Sequence, residues 1–456
     1  MINPLRIFHN LIGGGHGAPY RTVLGTGCRI SDPGKSMNIG IPDAARKGHF
    51  WCFGTTRVGK TRIMENMVEQ DIRKGYSVVV IDPKGDIDLF SKIVQVAFEE
   101  GRDKELIFVT PIYPHLSAVI DPLSHYYMPE ELVGHIVSGV EVGKERFFFN
   151  VAYEISLVIV QALIMLTAWE GKTHSFNLND VKNKMSREEL EKLKGQIDCV
   201  DTPEARQLSS DMQKILNSPQ DYYGKVSSSL RVALMELTSG HIGKVVGKAD
   251  ENRFIDRLEK GERVIMVVHL GSLITRKAAF TLGKVVISMI QSFVGRVFSS
   301  GRRVTPPLCL YIDECQNVLY YGIEDLFAKA GGADVWVHGF AQSVSQLYAM
   351  IGKDYGNAIL DNTNTKLFMR VPDTDTATYV AGHFGQFRRY SPILNVDGGV
   401  SVREEEDTIL KPSDILELGA REFYLMTYSG LYQGQTLDVS PLYLEIMFPD
   451  LAAESC

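Results

Sequence analysis

The sequence predicts an α/β fold with a mainly parallel β-sheet flanked by helices and interrupted by an all-α insertion. Short apolar runs rich in β-branched residues, such as Ser77–Ile81, are typical of parallel strands buried on both faces. These runs alternate with helical patterns, which is the signature of βαβ units. Between residues 129 and 247, helical patterns dominate and strand-like runs are absent. The insertion therefore interrupts the α/β pattern rather than following it.

Composition restricts the class of protein. The 456 residues correspond to roughly three units at about 150 residues each. Apolar residues make up 45% and charged residues 23% of the chain, which excludes global disorder and fibrous architectures. A net charge of −7 excludes a polycation that coats nucleic acid, so any DNA contact needs a local patch or a pore lining. The six cysteines contain no CxxC pair and have no His partners at zinc spacing. A disulfide framework is improbable in a chain this long, which favours a reducing, cytosolic compartment.

The chain divides into four segments in this interpretation. Residues 1–45 are punctuated by Gly and Pro and predict an N-terminal arm without a transmembrane helix, because no stretch reaches about 18 uncharged apolar residues. Residues 46–128 and 248–456 carry the two parts of the α/β pattern. The predicted strands are His49–Phe53, Ser77–Ile81, Glu105–Val109, Arg263–Leu270, Leu308–Ile312, Val335–Phe340, Lys366–Arg370 and Arg421–Tyr428.

Residues 129–247 form the predicted all-α insertion. Its most apolar helix covers Val151–Trp169 and carries Glu154 and Gln161. These two polar residues suit a buried helix better than a membrane span.

A phosphate-binding motif follows the first predicted strand. It matches the pattern G-x-x-x-x-G-K-[ST] in full, with Arg62 following at the start of the next helix. Its residues are Gly54, Thr55, Thr56, Arg57, Val58, Gly59, Lys60 and Thr61. The glycines allow successive backbone N–H groups to point at an anion, and the next helix directs its positive end at the phosphates. Lys60 is expected to reach the β- and γ-phosphates of ATP, and the Thr61 hydroxyl to ligate Mg²⁺.

A second motif supplies the acidic partner that this Mg²⁺ requires. The apolar strand Leu308–Ile312 ends in Asp313 and Glu314, called the Walker B pair below. Asp313 is expected to hold the metal, directly or through water. Glu314 is expected to activate the attacking water as a general base. Two adjacent carboxylates favour a RecA-like ATPase over a small-molecule kinase or a GTPase.

Three further candidate sites lie at the ends of strands in the predicted sheet. Gln342 is a candidate sensor of the γ-phosphate, the alternative being a local hydrogen bond at a helix N-terminus. Arg370 is a candidate arginine finger that acts on a neighbouring subunit, the alternative being an ordinary strand-end charge. Residues 82–86 (DPKGD) lie at a strand end where ligands bind in open α/β sheets, or else form a charged turn.

The ordered set GTTRVGKT, VVVIDPKGD, YIDEC and GFAQS resembles type IV coupling proteins of the TraG/TraD type, which are related to FtsK/HerA translocases. These are the P-loop ATPases of conjugation and type IV secretion. The resemblance runs from about His49 to about Tyr428. It implies a nucleotide-binding domain made of residues 46–128 and 248–456, with residues 129–247 as a substrate-contacting all-α domain. It also implies that ATP and Mg²⁺ are bound by the residues assigned above.

The same resemblance implies a homo-hexameric ring that recruits a relaxase–DNA complex or effector proteins and uses ATP hydrolysis to drive their export through a secretion channel. Relatives commonly begin with a membrane anchor, whereas no transmembrane helix is predicted in residues 1–45 of this sequence. Membrane attachment would therefore need another subunit or a missing segment, and we expect a cytoplasmic protein held at the inner membrane through partner subunits. Residues 328–333 lack the arginine that many relatives carry there, which leaves Lys329 or Arg370 as substitutes. A translocase without a secretion channel and a non-hydrolysing nucleotide-binding adaptor are the alternatives.

Overall fold

The computed structural model describes residues 20–140, 146–172, 176–247, 253–394 and 400–450. Thirteen strands form in these residues, eleven of them in one sheet. The strands are β1 (Arg21–Arg29), β2 (Asp32–Pro42), β3 (Phe50–Phe53), β4 (Ser77–Asp82), β5 (Leu106–Val109), β6 (Ile265–His269), β7 (Leu308–Ile312), β8 (Val335–Ala341), β9 (Thr365–Phe368), β10 (Gln386–Leu394), β11 (Val400–Thr408), β12 (Glu422–Thr427) and β13 (Gly430–Thr436).

The order of the main sheet is β2-β1-β13-β12-β9-β3-β8-β7-β4-β6-β5. From β9 to β5 every neighbouring pair is parallel. At the other end, β12, β13, β1 and β2 add antiparallel strands. The strands β10 and β11 form a separate antiparallel pair. The sheet is therefore mainly parallel, and it carries an antiparallel extension on one side.

Helices surround the parallel strands. Two lie in the first α/β part, namely α1 (Lys60–Arg73) and α2 (Ile87–Glu99). The helices between β5 and β6 are α3 (Pro129–Ser138), α4 (Arg146–Trp169), α5 (Leu178–Asn183), α6 (Arg187–Ile197), α7 (Pro203–Leu216), α8 (Gln220–Thr238), α9 (Gly240–Val245) and α10 (Arg253–Glu259). The remaining helices are α11 (Ser272–Ser299), α12 (Glu324–Lys329), α13 (Val344–Ile351), α14 (Lys353–Asp361), α15 (Thr374–Phe384) and α16 (Pro412–Leu416).

The two faces of the sheet pack against different helices. Along β4, Val79 and Ile81 belong to the hydrophobic core that also contains α11 and the helices between β5 and β6. Val78 and Val80 belong to a second core, formed with α1 and α2. Because successive strand residues point to opposite faces, a strand that is buried on both faces has apolar residues at every position. The parallel strands are therefore covered on both faces.

Residues 21–42, placed in an N-terminal arm by the sequence analysis, form β1 and β2 of the main sheet. The strand β1 pairs with β13, which lies about 400 positions further along the chain, for example through Gly25 opposite Thr436. Pairing between such distant segments leaves no local sequence signal. The division of the chain into domains stays a prediction.

Within the described residues, two helices are long and apolar enough to cross a membrane by length and composition alone, Phe149–Trp169 and Ser272–Ser299. The second is mostly buried against the sheet and its neighbouring helices, whereas less than half of the first is buried.

Candidate nucleotide-binding site

The predicted site residues come together at one edge of the sheet. The phosphate-binding loop follows β3, the Walker B pair follows β7, Gln342 follows β8 and Arg370 lies just beyond β9. These four strands are parallel neighbours in the order β9-β3-β8-β7. The carboxyl ends of parallel strands meet at the same edge, where open α/β sheets bind ligands. The topology thus gathers segments that are far apart in the sequence.

The phosphate-binding loop is tightly wound. Gly59 has a φ of 114°, a backbone conformation that favours glycine. A Cβ atom on Gly54 would lie 3.0 Å from Cγ2 of Val58 and 3.1 Å from Cβ of Met369, so a larger residue would displace its neighbours. Arg57 is exposed, with a φ of 63°. The helix α1 begins immediately at Lys60, so its free N–H groups adjoin the loop.

Neighbouring strand ends hold this loop through the backbone. The N–H of Thr55 donates to the carbonyl of Arg370 at 2.7 Å, and the N–H of Arg421 donates to the carbonyl of Val58 at 2.8 Å. The side chain of Arg370 is exposed. Arg370 is therefore fixed beside the loop of its own chain, and its action on a neighbouring subunit stays a prediction.

Lys60 is enclosed by the loop that precedes it. Its Nζ donates to the carbonyl oxygens of Gly54 at 2.6 Å and Thr55 at 3.0 Å. Burial lowers the pKa of Lys60, while the charge of Glu314 acts in the opposite direction. The ammonium group therefore lies inside the loop, where an anion would compensate its burial.

Asp313 lies at the tip of β7 and is only 2% exposed. Its backbone N–H donates to the carbonyl of Ile81 at 3.0 Å, and its Oδ2 lies 3.4 Å from Nζ of Lys84. The second oxygen, Oδ1, is buried without a hydrogen-bond partner. Buried carboxylate oxygens normally have partners, so this atom fits a metal ligand.

The donor set suits Mg²⁺ held together with a nucleotide. Mg²⁺ usually takes one or two protein oxygens and fills its octahedron with phosphates and water. Thr61 and Asp313 supply a hydroxyl and a carboxylate at this edge of the sheet. Across the described ranges, no group of three or more His, Cys, Asp or Glu residues gathers around one point.

The environment of Asp313 predicts a pH dependence of Mg²⁺ binding. Burial raises the pKa of Asp313 to about 6, against the opposing charge of Lys84. Because a protonated carboxyl is a poor metal ligand, we expect Mg²⁺-dependent nucleotide binding to weaken as the pH falls through about 6. Titrations of a fluorescent ATP analogue with Mg²⁺, on both sides of that pH, measure this. The variant Asp313→Asn is the control, because any pH effect that remains in it comes from protonation of the nucleotide itself. Identical pH profiles of Mg²⁺-dependent binding in the wild type and in Asp313→Asn would contradict the prediction.

Glu314 is held by three side chains. Its Oε1 lies 2.7 Å from Nζ of Lys84, and Gln316 donates to Oε2 at 2.7 Å. Gln342 donates to both oxygens at 3.2 Å. Burial acts to raise the pKa of Glu314, but the hydrogen bond and the charge of Lys84 outweigh it, so the pKa lies below its ordinary value. The carboxylate is therefore ionised, as a general base must be.

The backbone of Glu314 is also unusual. Its φ of 40° and ψ of 49° place it in the left-handed region, which costs free energy for a residue with a side chain and is found frequently at functional sites. This turn directs the Glu314 side chain toward Gln342 and Lys84 instead of along the strand.

The side chain of Gln342 makes both kinds of contact considered from the sequence. Its Oε1 accepts a local hydrogen bond from Nε2 of Gln346, in the first turn of α13, at 3.4 Å, while Ser343 caps the helix by accepting from the N–H of Gln346 at 3.1 Å. Its Nε2 donates to Glu314. This places Gln342 in the candidate site, and its action as a γ-phosphate sensor stays a prediction.

Two residues of the site were absent from the predicted set, Lys84 and Gln316. Lys84 lies in the segment 82–86, which the sequence placed at a strand end without indicating which charge faces the site. Gln316 follows Glu314 in a short 3₁₀ helix, Cys315–Val318. Turns of this length carry no periodic signal, so only the tertiary structure identifies these contacts.

A cavity of about 450 Å³ lies beside the first turn of α1, the helix that follows the loop. It lies between the first turns of α1 and α2 and the extended segment 437–442, and its walls include Arg62, Lys92 and Arg421. Arg421 pairs with Asp438 at 2.7 Å and so closes one side.

Comparisons with known proteins connect this site to a family. Residues 307–419 match the family described as the TraM recognition site of TraD and TraG. This segment begins at β7, so it contains the Walker B pair as well as Gln342 and Arg370. No match was found among curated proteins.

Solved structures share the fold across nearly the whole chain. The bacterial conjugative coupling protein TrwB, in an unbound form lacking 70 N-terminal residues (TrwBdeltaN70), has a TM-score of 0.66 at 16% identity, covering 95% of this chain and 91% of that chain. TrwB in complex with ADP and Mg²⁺ has a TM-score of 0.64 at 15% identity, covering 94% and 97%. VirB4 of Thermoanaerobacter pseudethanolicus has a TM-score of 0.54 at 13% identity, covering 93% and 98%.

These comparisons confirm two of the predictions made from the sequence. The chain has the RecA-like α/β fold, with a mainly parallel sheet and flanking helices. The resemblance to coupling proteins of the TraG/TraD type is supported by the family match over residues 307–419 and by the fold elsewhere.

Proposed function

We propose that this chain is an ATP-hydrolysing coupling protein of a conjugative or type IV secretion system, which recruits DNA as a relaxase–DNA complex, or protein substrates, and drives their export. One observation carries the proposal. The ionised Glu314 and the buried Asp313 lie beside the phosphate-binding loop, within the segment 307–419 that matches the family of TraD and TraG. The solved TrwB complexes with ADP and Mg²⁺ and with a non-hydrolysable ATP analogue support nucleotide binding at this fold.

Each residue of the site then has a chemical role. Lys60 and the loop N–H groups bind the phosphate oxygens, and Thr61 and Asp313 would hold Mg²⁺, which neutralises charge on the β- and γ-phosphates when bound. Glu314 accepts the proton of the attacking water. Gln342 orients Glu314 and senses the γ-phosphate. The cavity beside Arg62 is the space available to the base and ribose of the nucleotide.

Assembly and partners complete the proposal. We infer a homo-hexameric ring, in which Arg370 reaches the γ-phosphate of a neighbouring subunit. The segment 307–419 would recognise a TraM-like protein that accompanies the DNA substrate, as its family description says of TraD and TraG. The helices of residues 129–247 would contact the substrate. The protein would be cytoplasmic and held at the inner membrane by subunits of the secretion channel.

Steady-state ATP hydrolysis tests the function. We expect the purified protein to hydrolyse ATP with Mg²⁺, and single- or double-stranded DNA to raise the rate. Lys60→Ala is the control for contaminating ATPases, because loss of the phosphate-binding ammonium should remove turnover. Nucleotide binding without hydrolysis under every condition would favour the non-hydrolysing adaptor. Processive movement of the isolated protein on duplex DNA would instead favour a translocase that works without a secretion channel.

A further inference from the structure

Lys84 enters the site from a rigid loop between β4 and α2. The carboxylate of Asp82 accepts the backbone N–H groups of Lys84 at 2.9 Å, Gly85 at 3.1 Å and Asp86 at 2.5 Å. Asp86 in turn caps α2 with its side chain. Three successive N–H groups are thus tied to one buried carboxylate, which fixes the backbone that carries Lys84.

The loop packs closely against the neighbouring strand at Gly85. Gly85 has a φ of 79°, and a Cβ atom there would lie 2.9 Å from Cε1 of His269. His269 is the last residue of β6, which pairs with β4. The loop is therefore packed directly against the sheet.

The side chain of Lys84 is freer than its backbone. Its Nζ lies 2.7 Å from Glu314 Oε1 and 3.4 Å from Asp313 Oδ2. The two carboxylate side chains are only 2% and 4% exposed, whereas that of Lys84 is 45% exposed. Rotation about its side-chain bonds can therefore move the ammonium group without disturbing the core.

Glu314 has no acceptor position left in this arrangement. A carboxylate offers about four lone-pair positions. Lys84 and Gln342 engage Oε1, and Gln316 and Gln342 engage Oε2. A general base needs a free position for the proton of the attacking water, so one of these donors must leave before hydrolysis. Lys84 is the one among them that is exposed and charged.

We propose that Lys84 is a phosphate-binding residue that holds the Walker B pair in the absence of a nucleoside triphosphate and moves to the γ-phosphate when the triphosphate and Mg²⁺ bind. A cation at Asp313 repels the ammonium, and the γ-phosphate attracts it. The move releases one acceptor position on Glu314. The inference rests on the proposed function, because it assigns Lys84 the recognition of the terminal phosphate at the same site.

Equilibrium binding of ADP and of a non-hydrolysable ATP analogue tests this inference without relying on turnover. Lys84→Met should weaken binding of the ATP analogue about tenfold or more at saturating Mg²⁺, the effect expected for one hydrogen bond to a charged group. At the same saturating Mg²⁺ concentration, the affinity for ADP should be unchanged. The Mg²⁺ concentration needed for half-maximal ADP binding should fall, because the Lys84 ammonium no longer competes with Mg²⁺ at Asp313. Lys84→Arg keeps the charge and should restore part of the preference for the triphosphate.

Lys192→Met is the matched control. Lys192 also bridges two carboxylates, Glu188 at 2.9 Å and Glu189 at 2.8 Å, on an exposed helix face outside the site. Thermal unfolding shows whether each variant is folded. If the ratio of ATP-analogue affinity to ADP affinity is the same in Lys84→Met as in the wild type, the inference is overturned and the proposed function is left intact. If the wild-type protein binds neither nucleotide, the inference and the proposed function are both overturned.

Discussion

Replacing Glu314 with Gln is expected to lower the rate of ATP hydrolysis by about 10²–10⁴-fold, the usual contribution of a general base. The carboxylate is ionised and buried at the tip of β7, and the amide that replaces it has no basic oxygen to take the proton of water. Nucleotide affinity should change little, because Lys60 and the loop N–H groups are untouched. Single-turnover hydrolysis and equilibrium binding measure the two effects separately.

Glu204→Gln makes the same chemical change on an exposed surface of α7 and should leave hydrolysis at the wild-type rate. Turnover that survives in Glu314→Gln would show that another group is the base. A parallel loss of nucleotide binding would instead indicate that Glu314 acts through the structure of the site.

Replacing Arg46 with Met is expected to cost about 3–5 kcal/mol of stability, the range for breaking one side of a buried ion pair. Arg46 and Asp71 are both fully buried, and the guanidinium donates to the two carboxylate oxygens of Asp71 at 2.6 Å each. Burial alone would raise the pKa of Asp71, but Arg46 outweighs this and lowers it to about 2. Without Arg46, the buried carboxylate of Asp71 on α1 would keep only the hydroxyl of Tyr311 at 2.6 Å and a long contact with Nζ of Lys74 at 4.0 Å.

Arg46 also ties the sheet to the 3₁₀ helix Asp43–Gly48, which carries it. Its Nη2 donates to the hydroxyl of Tyr311 at 3.0 Å, and its guanidinium stacks over the ring of Trp336, 5.0 Å from the ring centre. These residues lie on β7 and β8, the strands that end in the Walker B pair and Gln342. We therefore expect the loss of stability to include the core directly below the site.

Thermal and guanidinium unfolding measure this effect, with an expected fall in Tm of about 5 °C or more. Arg206→Met removes an exposed partner of Asp201 and should change stability by less than about 0.5 kcal/mol. The double variant Arg46→Met, Asp71→Leu should recover part of the loss, because it removes both buried charges. A double variant as unstable as the sum of its two single variants would contradict this explanation.

Local patterns in the sequence predicted the central strands closely. The run Leu308–Ile312 was predicted and observed with the same bounds, and Ser77–Ile81 was extended by one residue, to Asp82. Strands covered on both faces need apolar side chains at every position, so their runs are continuous and easily seen. The phosphate-binding loop and the Walker B pair were equally visible, because phosphate and metal chemistry demands particular residues at fixed spacings.

Only the tertiary structure decided how distant segments meet. Three contacts join parts of the chain that are separated by 25 to 411 positions. They are the pairing of β1 with β13, the ion pair between Arg46 and Asp71, and the contact of Lys84 with Glu314. Such contacts depend on strand order and on the space left between packed elements, and neither is encoded in a local run of residues. By itself the sequence determined the α/β class, the phosphate loop and the acidic pair. The fold determined which side chains hold that acidic pair, because it brings the strand ends that carry them to one edge.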